Sequence, residues 1–203
     1  MAGVTVDNTS DDLVERAAQM QQAATAAGWT YVGQGQAATG MAAAMGYEIT
    51  NMCAGLIDGE PVTVFDVLQV MRDEQTAQSQ LVDRETVAQM GFPTDFRLTV
   101  WEATGPGQDL FIRTGQRVEL ESGEFASRFH VYCDDQVSAR MVLNPAVMAM
   151  LLDASTRVGL VIQKNLLQLS TPGTLMPPEQ LSTFAAVAGK IRYSAISATS
   201  ARL

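Results

Sequence analysis

"ELESGEFASRFHVYCDDQVSARMVLNPAVMAMLLD", Glu119 to Asp153, decides how the chain is read. It holds the single histidine, His130, with Cys133 three residues on and Asp134 and Asp135 following. A catalytic cluster would fit such a run, and so would a strand running into a helix. Strand side chains alternate faces with a period of two. His130 and Cys133 therefore point to opposite faces unless a bulge intervenes. Phe129, Val131 and Cys133 share one face, assigned here to the core. Arg128, His130, Tyr132 and Asp134 share the other, expected to be at least partly solvated. The run is read as a strand over Arg128–Asp134, with Cys133 a buried thiol and His130 not a ligand.

The helices after it follow from capping chemistry. Asp134 or Asp135 caps a short helix in which Val137 and Met141 share a face. Asn144-Pro145 marks a boundary, because the residue before proline avoids the helical region. Asn144 then acts as a cap, with Pro145 at the first helical position. Met148, Leu151 and Leu152 form the expected buried stripe.

This stretch resembles a bacterial family of proteins of unknown function, the domain-of-unknown-function 3137 family. The residues that carry the likeness are Glu121-Ser122, Glu124-Phe125, Arg128-Phe129, Val131-Tyr132, the run Asp134 to Val137, Ala139-Arg140, Leu143, Pro145, Met148 and Leu151-Leu152. Gly123, Ala126 and Met176 depart from the family pattern. Weaker likeness extends to "AAGWTYV" and "PPEQL". The resemblance implies a shared fold, and it brings no activity and no site residues. Other members carry hydrophobic helices ahead of this domain. No such run occurs in this sequence, and an anchor on a longer parent protein stays open.

Working outward, 203 residues with 47% hydrophobic content suit one globular unit over 1–203. Lobes at 1–115 and 116–203 are an open division of that unit. Thirteen basic against 22 acidic residues give a net charge of −9. This argues against nucleic-acid binding or docking on an anionic membrane, since both need clustered Lys and Arg. Neither a signal peptide nor an apolar run of spanning length is visible, so no membrane insertion by this chain is expected. Cys53 and Cys133 are too few for a disulfide framework. They are read as free buried thiols in a reducing cytoplasm, although a pair is open if they are adjacent. With one His and two dispersed Cys, no metal site is expected, and no cofactor.

In the first half, Leu13, Ala17, Met20, Ala24 and Ala27 recur at helical spacing, with Ser10 as cap and Gly28 as stop. Trp29–Val32 reads as a strand and Gly33–Gly46 as a connector. Tyr47–Ile57 and Val62–Met71 are strands around Asp58-Gly59, a hairpin signal. Residues 72–94 are polar and read as an exposed excursion. Phe96–Ala103 and "DLFIRT" read as strands. Later, "RVGLVIQ" and "LLQLS" form strands around Lys164-Asn165. "PPEQL" opens a last helix with Leu181, Phe184, Val187, Ala188 and Ile191 on its apolar face. Helices mixed with antiparallel strands indicate an α+β fold with about four helices, and a division into two similar lobes stays open.

Three tempting motifs have simpler readings. Gly35 to Gly40 has phosphate-loop spacing, but Met41 and Ala42 stand where Lys and Ser or Thr are required. Glu119, Glu121 and Glu124 resemble acid–base carboxylates without a fixed partner. Met41, Met45 and Met52 suit core filling, or an adaptable apolar surface. No catalytic residue is assigned. The expectation is an acidic, cytoplasmic interaction or scaffold domain with a protein partner or homo-oligomer, compatible with a membrane-linked partner. The alternative is a hydrolase acting through Glu121 and Glu124.

Overall fold

The computed structural model describes residues 9–34, 46–72, 79–94, 96–103 and 115–200. In chain order these form α1 (Thr9–Ala26), β1 (Thr30–Gly33), β2 (Tyr47–Ile57), β3 (Glu60–Arg72), β4 (Ser79–Gly91), β5 (Leu98–Glu102) and β6 (Gln116–Arg117). They continue as α2 (Gly123–Arg128), β7 (Phe129–Cys133), α3 (Gln136–Val142), α4 (Pro145–Leu152), β8 (Gly159–Gln163) and β9 (Leu166–Ser170). A 3-10 turn (Pro178–Gln180) then leads into α5 (Leu181–Ser200). The strands make one antiparallel sheet in the order β1-β2-β3-β4-β9-β8-β5-β7-β6. The fold is α+β, with five helices among the described residues.

Local sequence explains the hairpins. Asp58 and Gly59 both take positive φ, 51° and 82°, which matches the turn to the strand twist between β2 and β3. Lys164 and Asn165 do the same between β8 and β9, at 52° and 59°. One glycine is required by contact. A Cβ on Gly55 would lie 2.3 Å from the Trp29 indole, so the ring packs directly on the β2 backbone.

The core lies where alternate residues of the sheet meet the helices. Val62 and Val64, Ala88 and Met90, Leu167 and Leu169, Leu160 and Ile162, and Leu98 and Val100 all point into it. From the helices come Met20 and Ala24, and Leu181, Phe184, Ala188 and Ile191. No helix among the described residues is long and apolar enough to cross a membrane.

Several expectations are corrected. Residues 79–91, inside the segment 72–94 read as an exposed excursion, form a central strand. Thr86, Val87, Ala88 and Met90 of β4 are buried. Its polar residues are accommodated by cross-strand pairing: Gln168 Nε2 donates to Gln89 Oε1 at 2.9 Å. Burial raises the Glu85 carboxyl above its ordinary range, and a hydrogen bond with Ser170 opposes that shift. β5, from the first of the two lobes left open, lies between β8 and β7 in the sheet.

Helix faces differ in detail. α1 already begins at Thr9, ahead of Ser10, and Leu13 remains exposed. In α3, Ala139 and Val142 carry the buried face while Val137 is exposed. In α4 the buried residues are Val147 and Leu151, with Met148 and Leu152 half-buried. "DLFIRT" and Gly35 to Met45 lie outside the described residues.

Asn144 does cap α4. Its Oδ1 accepts from Ala146 N at 3.0 Å and Val147 N at 3.1 Å, and its Nδ2 reaches Ser194 O on α5 at 3.3 Å. Asn144→Ala is expected to lower stability by about 1 kcal/mol in a denaturant melt. Asn144→Asp keeps the acceptor and should cost less. Equal losses for the two would argue that the cap does not matter.

Candidate functional site

The alternation Val62, Val64, Asp66, Leu68 puts a carboxylate on the inward face of β3. Asp66 is fully buried. A buried carboxylate must be neutralised and hydrogen-bonded to persist, and α1 supplies the counter-charge. Arg16 Nε donates to Asp66 Oδ2 at 2.7 Å, and Nη2 donates to Oδ1 at 2.9 Å. This is the fork geometry that Arg offers and Lys does not. Asn51 Nδ2 and Thr86 Oγ1 donate to the same carboxylate at 2.9 and 2.7 Å.

Asn51 reaches Asp66 because β2 is bulged. Thr50 pairs with Asp66 and Cys53 with Val64, so two residues stand opposite Phe65. Asn51 takes φ 53° there, a conformation that Asn tolerates better than most residues. Tyr31 Oη donates to Asn51 Oδ1 at 3.1 Å and joins β1 to the network. Burial, then the neighbouring Cys53 and Asp66, raise the Tyr31 phenol above its ordinary value.

The network also fixes a loop from the far end of the chain. Met176 N donates to Thr86 Oγ1 at 2.9 Å, and Met176 O accepts from Arg16 Nη2 at 3.0 Å. Thr171 Oγ1 donates to Thr174 O at 2.7 Å within that loop. Pro177 and Pro178 then start the 3-10 turn that opens α5. One buried hub thus holds α1 and the residues leading into α5 against the same part of the sheet.

Between these two walls runs an open groove of about 550 Å³. Gln19, Gln22, Ala23, Ala26 and Ala27 of α1 form one side. Pro178, Glu179, Leu181 and Ser182 form the other. The groove exists because α1 presents alanines where larger side chains would fill the space. Its volume lies in the range of ligand- and peptide-binding clefts, roughly 300–1,000 Å³.

The residues of the HVYCDD run are separated as strand alternation predicts. Phe129, Val131 and Cys133 are 2%, 2% and 1% exposed, whereas His130 is half-buried on the other face. Arg117 Nη2 lies 3.4 Å from His130 Nδ1. Cys133 Sγ donates to Asp135 O at 3.0 Å and accepts from Asp135 N at 3.3 Å. Asp135, and not Asp134, caps α3: its Oδ1 accepts from Val137 N at 2.9 Å. Glu119, Glu121 and Glu124 are exposed. No group of three or more His, Cys, Asp or Glu among the described residues is arranged to hold a metal.

Cys53 and Cys133 are both free and buried. They sit on β2 and β7, six strand spacings apart, which is roughly 25–30 Å and too far for a disulfide. Burial pushes each thiol up to about 11. A raised pKa means less thiolate at neutral pH, and the thiolate is the reactive species. Thiol labelling of the folded protein should therefore leave Cys133 largely unreacted. His130→Ala should change stability by less than about 0.5 kcal/mol and leave that labelling rate unchanged. A rapid reaction at Cys133 that slows without His130 would restore the dyad.

Sequence reasoning missed Arg16, Asn51, Asp66 and Thr86. The available signal was Asp66 at an inward position of an otherwise apolar alternation.

Residues 84–169 match the family described as "Protein of unknown function (DUF3137)". That segment contains the whole Glu119–Asp153 stretch and bears out the resemblance drawn from it. It includes Thr86 but neither wall of the groove. No curated protein matches the chain. The fold is similar to that of the crystal structure of the mycobacterial trehalose monomycolate transport factor A, TtfA, with a TM-score of 0.56 and 14% identity. The match covers 88% of this chain and 93% of that one. At that identity the likeness is one of fold.

Proposed function

We propose that the chain is a non-enzymatic interaction domain that docks a protein partner in the groove between α1 and residues 178–182. The observation that carries this reading is the hub. Arg16, Asn51, Asp66 and Thr86 are bonded to one another and to the Met176 backbone, so they hold the groove walls rather than face a substrate. The similar fold belongs to a protein named as a transport factor, which supports a binding role and is compatible with a membrane-linked partner. The reading places the domain in the bacterial cytoplasm, a setting with which two free buried thiols are compatible. The net charge of −9 speaks against nucleic acid as the partner. The reading takes 1–203 as one working unit, supported by the continuous sheet.

Site-specific photo-crosslinking in cells tests it. A photoreactive residue at Gln22, in the groove, should give a discrete adduct. The same residue at Lys164, in the β8–β9 turn, should not. An adduct of twice the chain mass would identify a homo-oligomer. Absence of any adduct from Gln22 would count against docking there. The competing hydrolase predicts an activity that disappears in Glu121→Gln or Glu124→Gln, and a broad substrate screen with those variants distinguishes the two.

A further inference from the structure

The charges around the groove indicate what kind of segment it accepts. We infer that its occupant is a basic amphipathic helix of a partner protein, seated with apolar side chains on Ala23, Ala26 and Pro178 and with cations against Glu179 and Glu15. This deepens the interaction-domain reading and rests on it.

The middle of the groove is apolar. Ala23, Ala26 and Ala27 face Pro178 and Leu181 across it. Residues of an incoming helix at spacings of three and four can enter such a slot, as in other helix-in-groove complexes. The rim is acidic. Glu179 lines the groove and is exposed. Glu15 lies one helical turn before Gln19, is exposed, and accepts from Gln19 Nε2 at 3.0 Å. None of the lining residues is cationic. The nearby cation of α1, Arg16, is neutralised by the Asp66 carboxylate.

Helix dipoles do not reverse this balance. The C-terminal turn of α1 and the N-terminal turn of α5 both line the groove. Their partial charges are each about half an elementary charge and opposite in sign, so they largely cancel. Two whole carboxylate charges remain. The field selects a cationic partner and speeds its encounter, while the apolar slot fixes its register.

The test uses the full chain and an amphipathic Leu/Lys helical peptide of about four turns as probe, with fluorescence anisotropy as readout. Ala26→Arg, at an exposed helix position, should weaken binding by about tenfold or more by filling the slot. Glu179→Lys should weaken it by up to about fivefold. Glu119→Lys changes net charge by the same amount on an exposed residue outside the groove, and should leave affinity unchanged at moderate salt. Equal weakening by Glu119→Lys, or no effect of Ala26→Arg, would overturn the inference by showing that general acidity attracts the peptide. Equal binding of the Glu-for-Lys peptide would overturn the charge preference. If these outcomes occur while the Gln22 crosslink to a partner persists, the inference fails and the interaction-domain reading stands. Loss of both removes the reading as well.

Discussion

An Arg16→Ala protein is expected to lose about 3–5 kcal/mol of stability in a denaturant melt. The reason is what it leaves behind. Asp66 is fully buried and is held by two guanidinium bonds plus one bond each from Asn51 and Thr86. Without Arg16 the carboxylate keeps two neutral donors and no counter-charge. The Met176 carbonyl also loses its guanidinium donor, which frees one wall of the groove. Arg16→Lys should recover only part of the loss, because an ammonium cannot engage both carboxylate oxygens and Met176 in the same geometry. The pair itself is a different matter. A well-packed apolar replacement of both partners, Arg16→Met with Asp66→Leu, should be much closer to wild type than either single change, since desolvation offsets most of the attraction within a buried pair. If the double variant is as unstable as the sum of the singles, the hub contributes through hydrogen bonding and not through charge pairing. If Arg16→Ala costs less than about 1 kcal/mol, the ion pair does not anchor α1.

The contrast between hub and hairpins explains how much was readable. Asp58-Gly59, Asn144-Pro145 and the Phe129–Cys133 alternation are local signals, in which residues a few positions apart dictate the backbone. All three appear in the structure as the sequence indicates. The hub is non-local. Arg16 and Asp66 are 50 residues apart, and Met176 is 160 from Arg16. Arg16 stands four residues before Met20, on the face that α1 buries, but nothing local to α1 names its partner. β4 was hidden for another reason. Its polar residues pair across the sheet, as Gln89 does with Gln168, so composition alone made a central strand look solvated. The bulge at Asn51 was equally invisible, because the left-handed φ that turns its side chain toward Asp66 depends on β2 pairing with β3. The groove follows from all of these and so could not be read before them.

Phe129→Ala is the second large expected effect, also about 3–5 kcal/mol, as for other buried aromatics. Phe129 is 2% exposed and stacks on Phe125, which is fully buried, with ring centroids 4.6 Å apart and an interplanar angle of 26°. The stack is what docks α2 onto β7. Arg128 lies over the Phe129 ring, 5.2 Å from its centroid. That guanidinium is tied down by Glu102 at 2.9 Å and by Leu152 O, at the end of α4, at 2.6 Å. The ring thus supports a cation that links β5, β7 and α4, and its removal should loosen that link as well as open a cavity. Phe129→Leu keeps most of the volume and should cost about half as much or less. Phe125→Ala combined with Phe129→Ala should cost less than the sum of the two, by about 0.5–1.5 kcal/mol, because each single change already removes the stack. Strict additivity would mean that the rings are buried side by side without stabilising one another. A loss for Phe129→Ala no greater than that for His130→Ala would reverse the assignment of faces on β7.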